Sequence, residues 1–526
     1  MKTLIEIMPK CAHSILTLLL ILLSVSCSKN FLDLKNTNDL TSDNFFKTPR
    51  DFEYAINAVY RSAEGVRDDD RQHINVQQAR GGESDLVSVH NQEFFNYTND
   101  VTNALSGGLY ANLYHLIYRA NTVLYEMDVN KDVQWDNERQ KELISAQAYF
   151  FRGLGYFYLA HSFGEVAIVT TPAFTEVDRT PVKATIPEVY DQAIADLKLA
   201  KAGLDEVPDV IGTVSKGAAT GFLGKTYLYR ASYLSENEYY ALAAAEFKEV
   251  MDMGIYGLVD DYVDNFTDKN ENNIESLFEL QYLYAPELDD VPAQFRGITS
   301  VPGIAEQVVV RPSKWLMETM STEKDVNGNY DVRYLETVYF HGGLDLFGVP
   351  YNQLCGGMAV VDGDHYEGGC PDGSGDTTGG YWRKYLNVSD DFEQVSYDRG
   401  ASNNERILRY ADILLMYAEA EIKSEGSLAD AAAAVKQVRD RAHLSDKTWT
   451  SDDELMTEIK HQRILEFTYE NTLYFDLIRW GDLGAAIQDH GNDVQKISYN
   501  PVKHKYFPLP LEDILSNKNL KQNEAW

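Results

Sequence analysis

The sequence predicts a mainly α protein built from helix pairs, with one loop-rich lobe carrying a few short strands, and three observations carry that prediction. Glu142 to Phe163 is rich in Leu, Tyr, Phe and Ala on almost every face, which is the pattern of a buried helix, and Gly164 marks its end. Helical periodicity returns around Leu223 and again after Glu405, each time followed by a second helical stretch. Gly254 to Gly400 differs in kind: it holds Gly342-Gly343, Gly356-Gly357, Gly368-Gly369 and Gly379-Gly380, with short alternating runs such as Ser276 to Tyr282. Such punctuation breaks helices and leaves loops with short strands, and loops on a rigid scaffold are where binding function concentrates.

The helix pairs carry a motif. Leu154-Gly155-x-x-Tyr158 and Leu223-Gly224-x-x-Tyr227 both fit the core of the tetratricopeptide (TPR) helix pair, and Ala243-x-x-x-Phe247 supplies the partner-helix signature after the second. A small residue lets two helices approach closely, and the aromatic three positions on fills the groove beside it. A third pair is expected at Tyr410–Glu421 and Ala431–Val438, broken by Glu425-Gly426-Ser427. Over Glu405 to Lys423, the residues Glu405, Arg409, Asp412, Glu419 and Lys423 form a polar stripe opposite Ile413, Leu414, Tyr417 and Ala418, so this helix is expected to have one wet face.

Of the 526 residues, 81 are Asp or Glu and 47 are Lys or Arg, a formal net charge of −34. A field of that sign repels polyanions and excludes a nucleic-acid partner, which would need clustered cations. At the N-terminus, Ser14 to Val25 (SILTLLLILLSV) follows Lys2, Lys10 and His13. This apolar run is too short for a hydrocarbon core that takes about 20 residues, and it reads as the h-region of a signal peptide spanning 1–26. Ser24-Val25-Ser26-Cys27 resembles a bacterial lipoprotein cleavage box, with Cys27 as the lipidated first residue of the mature chain. Cys11 leaves with the signal, so Cys355 and Cys370 remain, and an exported chain favours a disulfide between them over two unpaired thiols.

Set in order, the motifs resemble the SusD/RagB family along essentially all of the mature chain. The carriers are Cys27-Ser-Lys-Asn-Phe31-Leu32-Asp33; Gly82-Glu83-Ser84-Asp85; Ala148 to Leu154 running to Phe163-Gly164-Glu165-Val166; Arg409-Tyr410-Ala411-Asp412 through Ala420; Val438-Arg439-Asp440-Arg441-Ala442; Asp476-Leu477-Ile478-Arg479-Trp480-Gly481; and Phe507-Pro508-Leu509-Pro510. The sequence departs from the family at Gln462, Asn471 and Leu473, where Glu, Gly and Arg are usual. The resemblance implies a single SusD-like domain with TPR-like pairs: a helical part over 27–253, a loop-rich ligand-binding lobe over 254–400 and a C-terminal helical part over 401–526. It also implies an outer-membrane, surface-exposed lipoprotein that captures oligosaccharide and caps a TonB-dependent, SusC-like transporter. A peptide-binding TPR-like adaptor and a glycoside hydrolase are the rival readings.

No G-x-S-x-G, H-E-x-x-H or G-x-x-x-x-G-K-[ST] is present, and the eleven histidines form no cluster at metal spacing. Arg409 with Asp412 and Asp476 with Arg479 sit at i, i+3 and read as structural partners, not as catalytic groups. The expectation is therefore a binding protein without a cofactor and without catalysis. Asp325-x-Asn327-x-Asn329 with Glu336 nearly spells a calcium loop, but Tyr330 stands where the sharp turn needs glycine. Sugar binding needs flat apolar faces beside amides and carboxylates that match hydroxyls. Three clusters have that mixture: Asn91, Phe94, Phe95 and Tyr97 in HNQEFFNY; Tyr282 and Tyr284 in QYLY; and Tyr381 and Trp382 in GYWR. Trp382, Tyr282 and Phe95 are the candidates for the stacking platform.

Overall fold

A computed structural model describes residues 45–68, 80–86, 92–172, 180–282, 310–346, 379–386 and 403–526. The N-terminal half is a run of helices: α1 (Pro49–Asp68), the single turn α2 (Gln92–Phe95), α3 (Ala104–Val129), α4 (Glu138–Ser162), α5 (Ile186–Gly203), α6 (Lys216–Leu234) and α7 (Glu238–Asp252). Their starts are written locally. Asn103, Asn137 and Ser215 each accept a hydrogen bond from a backbone N–H three residues on, and Thr185 with Glu188 makes a capping box.

Neighbours in sequence pack as neighbours in space: α3 on α4, α4 on α5, α5 on α6 and α6 on α7. The small residues of the motif explain how closely. A Cβ built on Gly224 of α6 lies 2.7 Å from the ring of Phe247 on α7, so the glycine is the slot that receives this aromatic. Gly155 serves the other neighbour, its Cβ position lying 2.7 Å from Ile117 of α3.

The middle of the chain contributes β1 (Ser84–Leu86), β2 (Ser276–Leu280), β3 (Val310–Pro312), α8 (Lys314–Thr322), α9 (Val332–Thr337), β4 (Val338–Phe340), β5 (Gly380–Trp382) and β6 (Glu405–Arg409). They form three antiparallel two-stranded ribbons, β1 with β3, β2 with β6 and β4 with β5. The C-terminal helices are α10 (Tyr410–Lys423), α11 (Leu428–Arg441), α12 (Asp452–Phe467), α13 (Leu473–Trp480), α14 (Leu483–His490), α15 (Asp493–Ser498) and α16 (Leu511–Ser516). The helix array skips the loop-rich insertion: α7 packs directly on α10, and α10 on α11, so the third expected pair joins the second.

Two expectations change here. Glu405–Arg409 is strand, not the first turn of the helix, because it pairs with β2 and feeds directly into α10. The polar stripe is also wet only at its end, where Lys423 is exposed. Asp412 is 3% exposed and Glu419 1%, and their charges are matched from other helices. Lys225 of α6 reaches Asp412 at 2.9 Å, Arg463 of α12 reaches it at 2.7 Å, and Arg463 continues to Asp476 of α13 at 2.7 Å. Asp476 pairs with Arg479 at 2.8 Å as its i, i+3 spacing suggests, and Arg479 with Trp480 holds Glu419. Arg409 and Asp412 do not pair with each other, since Arg409 is claimed by Glu275, Glu466 and Glu470. Gln462 fits the neighbouring network as a neutral link, accepting from Arg333 at 2.8 Å and donating to Glu458 at 2.9 Å.

Candidate functional site

Segment 80–86 is the seam along which the N-terminal and C-terminal candidates meet. Arg80 is 1% exposed and sits between Phe94 and Tyr97, with its guanidinium 4.3 Å and 4.1 Å from their ring centres and Tyr474 and Phe507 close behind. Its Nη1 donates to the carbonyl of Phe94, and the Tyr97 hydroxyl donates back to the carbonyl of Arg80. A desolvated cation enclosed by ring faces is a strong fixed point. Next along the chain, Gly82 takes a φ of +85°, and Ser313 at the start of α8 donates to its carbonyl at 2.7 Å. The β1–β3 register then sets Asp85 opposite Arg311, with 3.9 Å between their charged atoms.

The expected stacking rings are not open in this arrangement. Trp382 is fully buried and lies parallel to Tyr469 at 4.4 Å, so a ring from beyond α12 already occupies one of its faces. Tyr381 is buried on the same strand. Phe94 and Tyr97 are spent on Arg80. Phe95 is buried in α2, and its carbonyl accepts from Gln495 of α15. Tyr282 is buried at the end of β2, where its backbone N–H donates to Asn404 at 2.8 Å. The structure thus corrects the platform assignment to Trp382, Tyr282 or Phe95: composition locates aromatic clusters but does not separate a wet ring from one capped by a distant residue. Asn91, Tyr284, Cys27, Cys355 and Cys370 lie outside the described residues.

The near-calcium spacing of Asp325, Asn327 and Asn329 forms a closed turn. Asp325 accepts from the backbone N–H groups of Asn327 and Asn329 and from the Asn329 amide, so its carboxylate closes its own turn. Glu336 faces away into an ion pair with Arg383 at 3.2 Å. The spacing encodes an Asx-type turn.

What the sequence reading missed is Trp315 with His490. Trp315 lies parallel to the imidazole, ring centres 4.0 Å apart and planes within 9°. In α8 the residues Leu316, Met317 and Met320 are buried in the core, whereas Trp315, beside exposed Lys314 and Glu318, is half-buried and packs only partly against that core. That phase mismatch within KWLMETM was the available signal. Gly82 explains the position of His490: a Cβ there would lie 2.4 Å from Nε2 of the imidazole. Burial pushes the pKa of His490 below its usual value, with Asp489 pulling the other way, so the ring beneath Trp315 is neutral near pH 7. Nearby, Asn492 donates to the Asn96 side chain at 3.0 Å on the exposed surface.

Two carboxyl groups carry the raised pKa values expected of general acids. Burial pushes Glu83 up to about 8, with Lys384 opposing, and pushes Glu271 up to about 7, opposed by the Asn404 N–H and Arg406. Glu83 has no exposed surface, and a proton donor must come within hydrogen-bond reach of its substrate. Glu271 holds the Asn404 backbone at 2.6 Å. Both are explained by structure. Among the described residues no helix is long and apolar enough to cross a membrane.

These elements match known proteins along nearly the whole chain. The profile of the SusD family matches residues 231–526, and one described as starch-binding associating with outer membrane matches residues 30–228. SusD-like protein P2 of Formosa agariphila is 23% identical over 97% of this chain and 99% of its own length. The starch-binding protein SusD of Bacteroides thetaiotaomicron is 23% identical over 72% of each. Among solved structures, a SusD superfamily protein of Bacteroides vulgatus superposes with a TM-score of 0.79 at 26% identity, covering 92% of this chain and all of that one. A laminarin-binding SusD-like protein superposes with a TM-score of 0.70 at 23% identity, covering 91% of this chain and all of that one. With more than half of its length under one profile and its helix pairs superposing on the same fold, this chain belongs to the SusD family.

Proposed function

We propose that this chain is a non-enzymatic, surface-tethered binding protein that captures neutral oligosaccharide and hands it to a SusC-like TonB-dependent transporter in the outer membrane. The observation that carries the reading is the family match across 30–526, one part of it described as starch-binding and outer-membrane-associated. Relatives of the same fold support its glycan part: one is named for laminarin, and another was solved with a xylogluco-oligosaccharide. The net charge of −34 sharpens the ligand class, because Coulomb repulsion opposes acidic glycans while leaving neutral ones unaffected. Capture then rests on ring stacking and hydroxyl hydrogen bonds, and it should vary little with salt.

Isothermal titration of the detergent-solubilised protein with starch, laminarin and xyloglucan oligosaccharides and with a peptide panel tests this. Heat from a neutral glycan at both low and high salt supports the reading. Binding confined to peptides overturns it, and release of new reducing ends from a bound glycan would identify a hydrolase. The anchor is proposed to be Cys27. Since one acyl chain holds a membrane only marginally and several hold it firmly, Cys27→Ala should shift the protein out of the membrane fraction or leave the signal uncleaved. Recovery of the transporter with the wild-type protein from solubilised membranes tests the partner.

A further inference from the structure

We infer that the outer face of the first helix pair, α1 with α3, is the surface on which the anchored protein rests against anionic lipid headgroups; the inference rests on the Cys27 anchor proposed above. Acidic residues outnumber basic ones by 34 across the chain, yet this face inverts the balance. Arg50, Tyr54 and Arg61 recur along α1 at i, i+4 and i+11, and His115, Tyr118 and Arg119 along α3 at i, i+3 and i+4, all six exposed. The two stripes adjoin, because Arg119 donates to the Ala58 carbonyl of α1 at 2.8 Å and Asn112 to that of Gly65 at 2.9 Å, which sets the helices antiparallel and side by side. Tyr54 and Tyr118 are 51% and 54% exposed, and among the described residues they are the only aromatic rings in the set of large, well-exposed hydrophobic side chains.

Nearby carboxylates are turned to other partners. Asp51 accepts from the Thr48 backbone at the start of α1 at 2.8 Å, Glu53 accepts from Gln140 of α4 at 2.9 Å, and Glu126 accepts from Asn130 at 2.7 Å. Glu64 pairs with Arg61. Arg50 donates to the Tyr54 hydroxyl at 2.7 Å and Arg119 to a backbone carbonyl, so among the described residues neither guanidinium meets a carboxylate. Guanidinium N–H groups match phosphate oxygens in pairs, and tyrosine rings settle at the level where headgroups meet acyl chains. Chain connectivity brings the face there: 17 residues separate Cys27 from Phe45, just ahead of α1, so an acylated Cys27 keeps this helix within roughly 60 Å of the bilayer. The acidic remainder does not oppose the contact. Charges act over only about 8 Å at physiological salt, so the bilayer meets the residues that face it, and repulsion of the other faces turns the tethered body the same way.

The test reconstitutes the membrane-derived wild-type protein into vesicles of phosphatidylcholine, alone or with phosphatidylglycerol as the anionic lipid, and reads hydroxyl-radical footprints by mass spectrometry. Oxidation of Tyr54 and Tyr118 should fall about threefold or more when the anionic lipid is present, while Ile497, 85% exposed on α15, should oxidise equally in both. Arg50→Gln combined with Arg119→Gln, checked for folding by circular dichroism, should restore oxidation of both tyrosines in the anionic vesicles. High salt should do the same to wild type, a readout that needs no variant to fold. Equal oxidation of the two tyrosines in both kinds of vesicle, or protection that survives both salt and the double substitution, overturns this inference and leaves the anchor standing. Protection that appears only when the transporter is reconstituted alongside makes the face a protein interface and overturns it as well. If the membrane-derived protein carries no acyl chain on Cys27, the anchor reading fails and takes this inference with it.

Discussion

Asp412 ties three helices of the array together through buried charge, and replacing it with leucine should show what the buried network contributes. Its two oxygens receive Lys225 at 2.9 Å and Arg463 at 2.7 Å, joining α10 to α6 and α12, and all three side chains are less than a tenth exposed. Burial alone would raise the pKa of this carboxyl. The two cations overcome that and hold it well below the usual carboxylate range. Asp412→Leu strands both cations: Lys225 loses its only carboxylate partner among the described residues, and Arg463 keeps only Asp476. Removing one member of a buried ion pair costs about 3–5 kcal/mol. Unfolding entropy of ~2.1 cal/mol/K per residue over 526 residues converts this to a fall in Tm of roughly 3–5 °C. Differential scanning calorimetry should find that fall, while Asp446→Ala, whose pair with Lys436 is open to water, should leave Tm unmoved. The sign with pH is also set. A carboxyl whose folded pKa is depressed stabilises above its unfolded value and loses that contribution as pH falls through the folded one. Wild type should therefore shed stability in acid below about pH 4, and Asp412→Leu should shed less. A folded Asp412→Leu protein melting within 1 °C of wild type would refute the account.

Glu83 titrates with the opposite sign. Its folded pKa of about 8 stands above the unfolded value, so the folded state binds the extra proton and stability declines as pH rises from about 5 to 8. Lys384, Glu470 and Asp476 act on it, and Glu83→Gln should flatten the urea-denaturation profile across that window; an unchanged slope would exclude Glu83 as its source. Gly224→Leu should cost about 1–3 kcal/mol by driving a side chain into Phe247, visible as a lower denaturation midpoint, whereas equal midpoints would mean that α6 and α7 do not meet there. Cys355 and Cys370 should be bonded to each other in protein exported to an oxidising compartment, and closing a loop of about 15 residues stabilises by ~3 kcal/mol in the chain-entropy treatment. Intact mass after alkylation without reductant checks it, and two labelled thiols would disprove it.

The helix pairs were legible because their information is local. Leu223-Gly224-x-x-Tyr227 and Ala243-x-x-x-Phe247 state by spacing alone which faces are small and which aromatic, and the structure joins those faces. The same holds for the alternating run Ser276–Tyr282, of which Ser276–Leu280 forms β2. The fate of charges and rings was not local. The stripe that includes Asp412 and Glu419 has the period of a solvated helix face, and only packing against α6, α12 and α13 supplies the cations that make the burial of these two affordable. Glu405–Arg409 became strand because its partner β2 lies more than a hundred residues earlier. Trp382 and Trp315 are both aromatics in the loop-rich lobe, and nothing within a few residues of Trp382 says that it is sealed. Tertiary structure lays Tyr469 over the first, which is fully buried, and slides His490 under the second, which stays half-buried. A ring's availability is decided by what covers it, and that is a property of chain segments brought together from far apart.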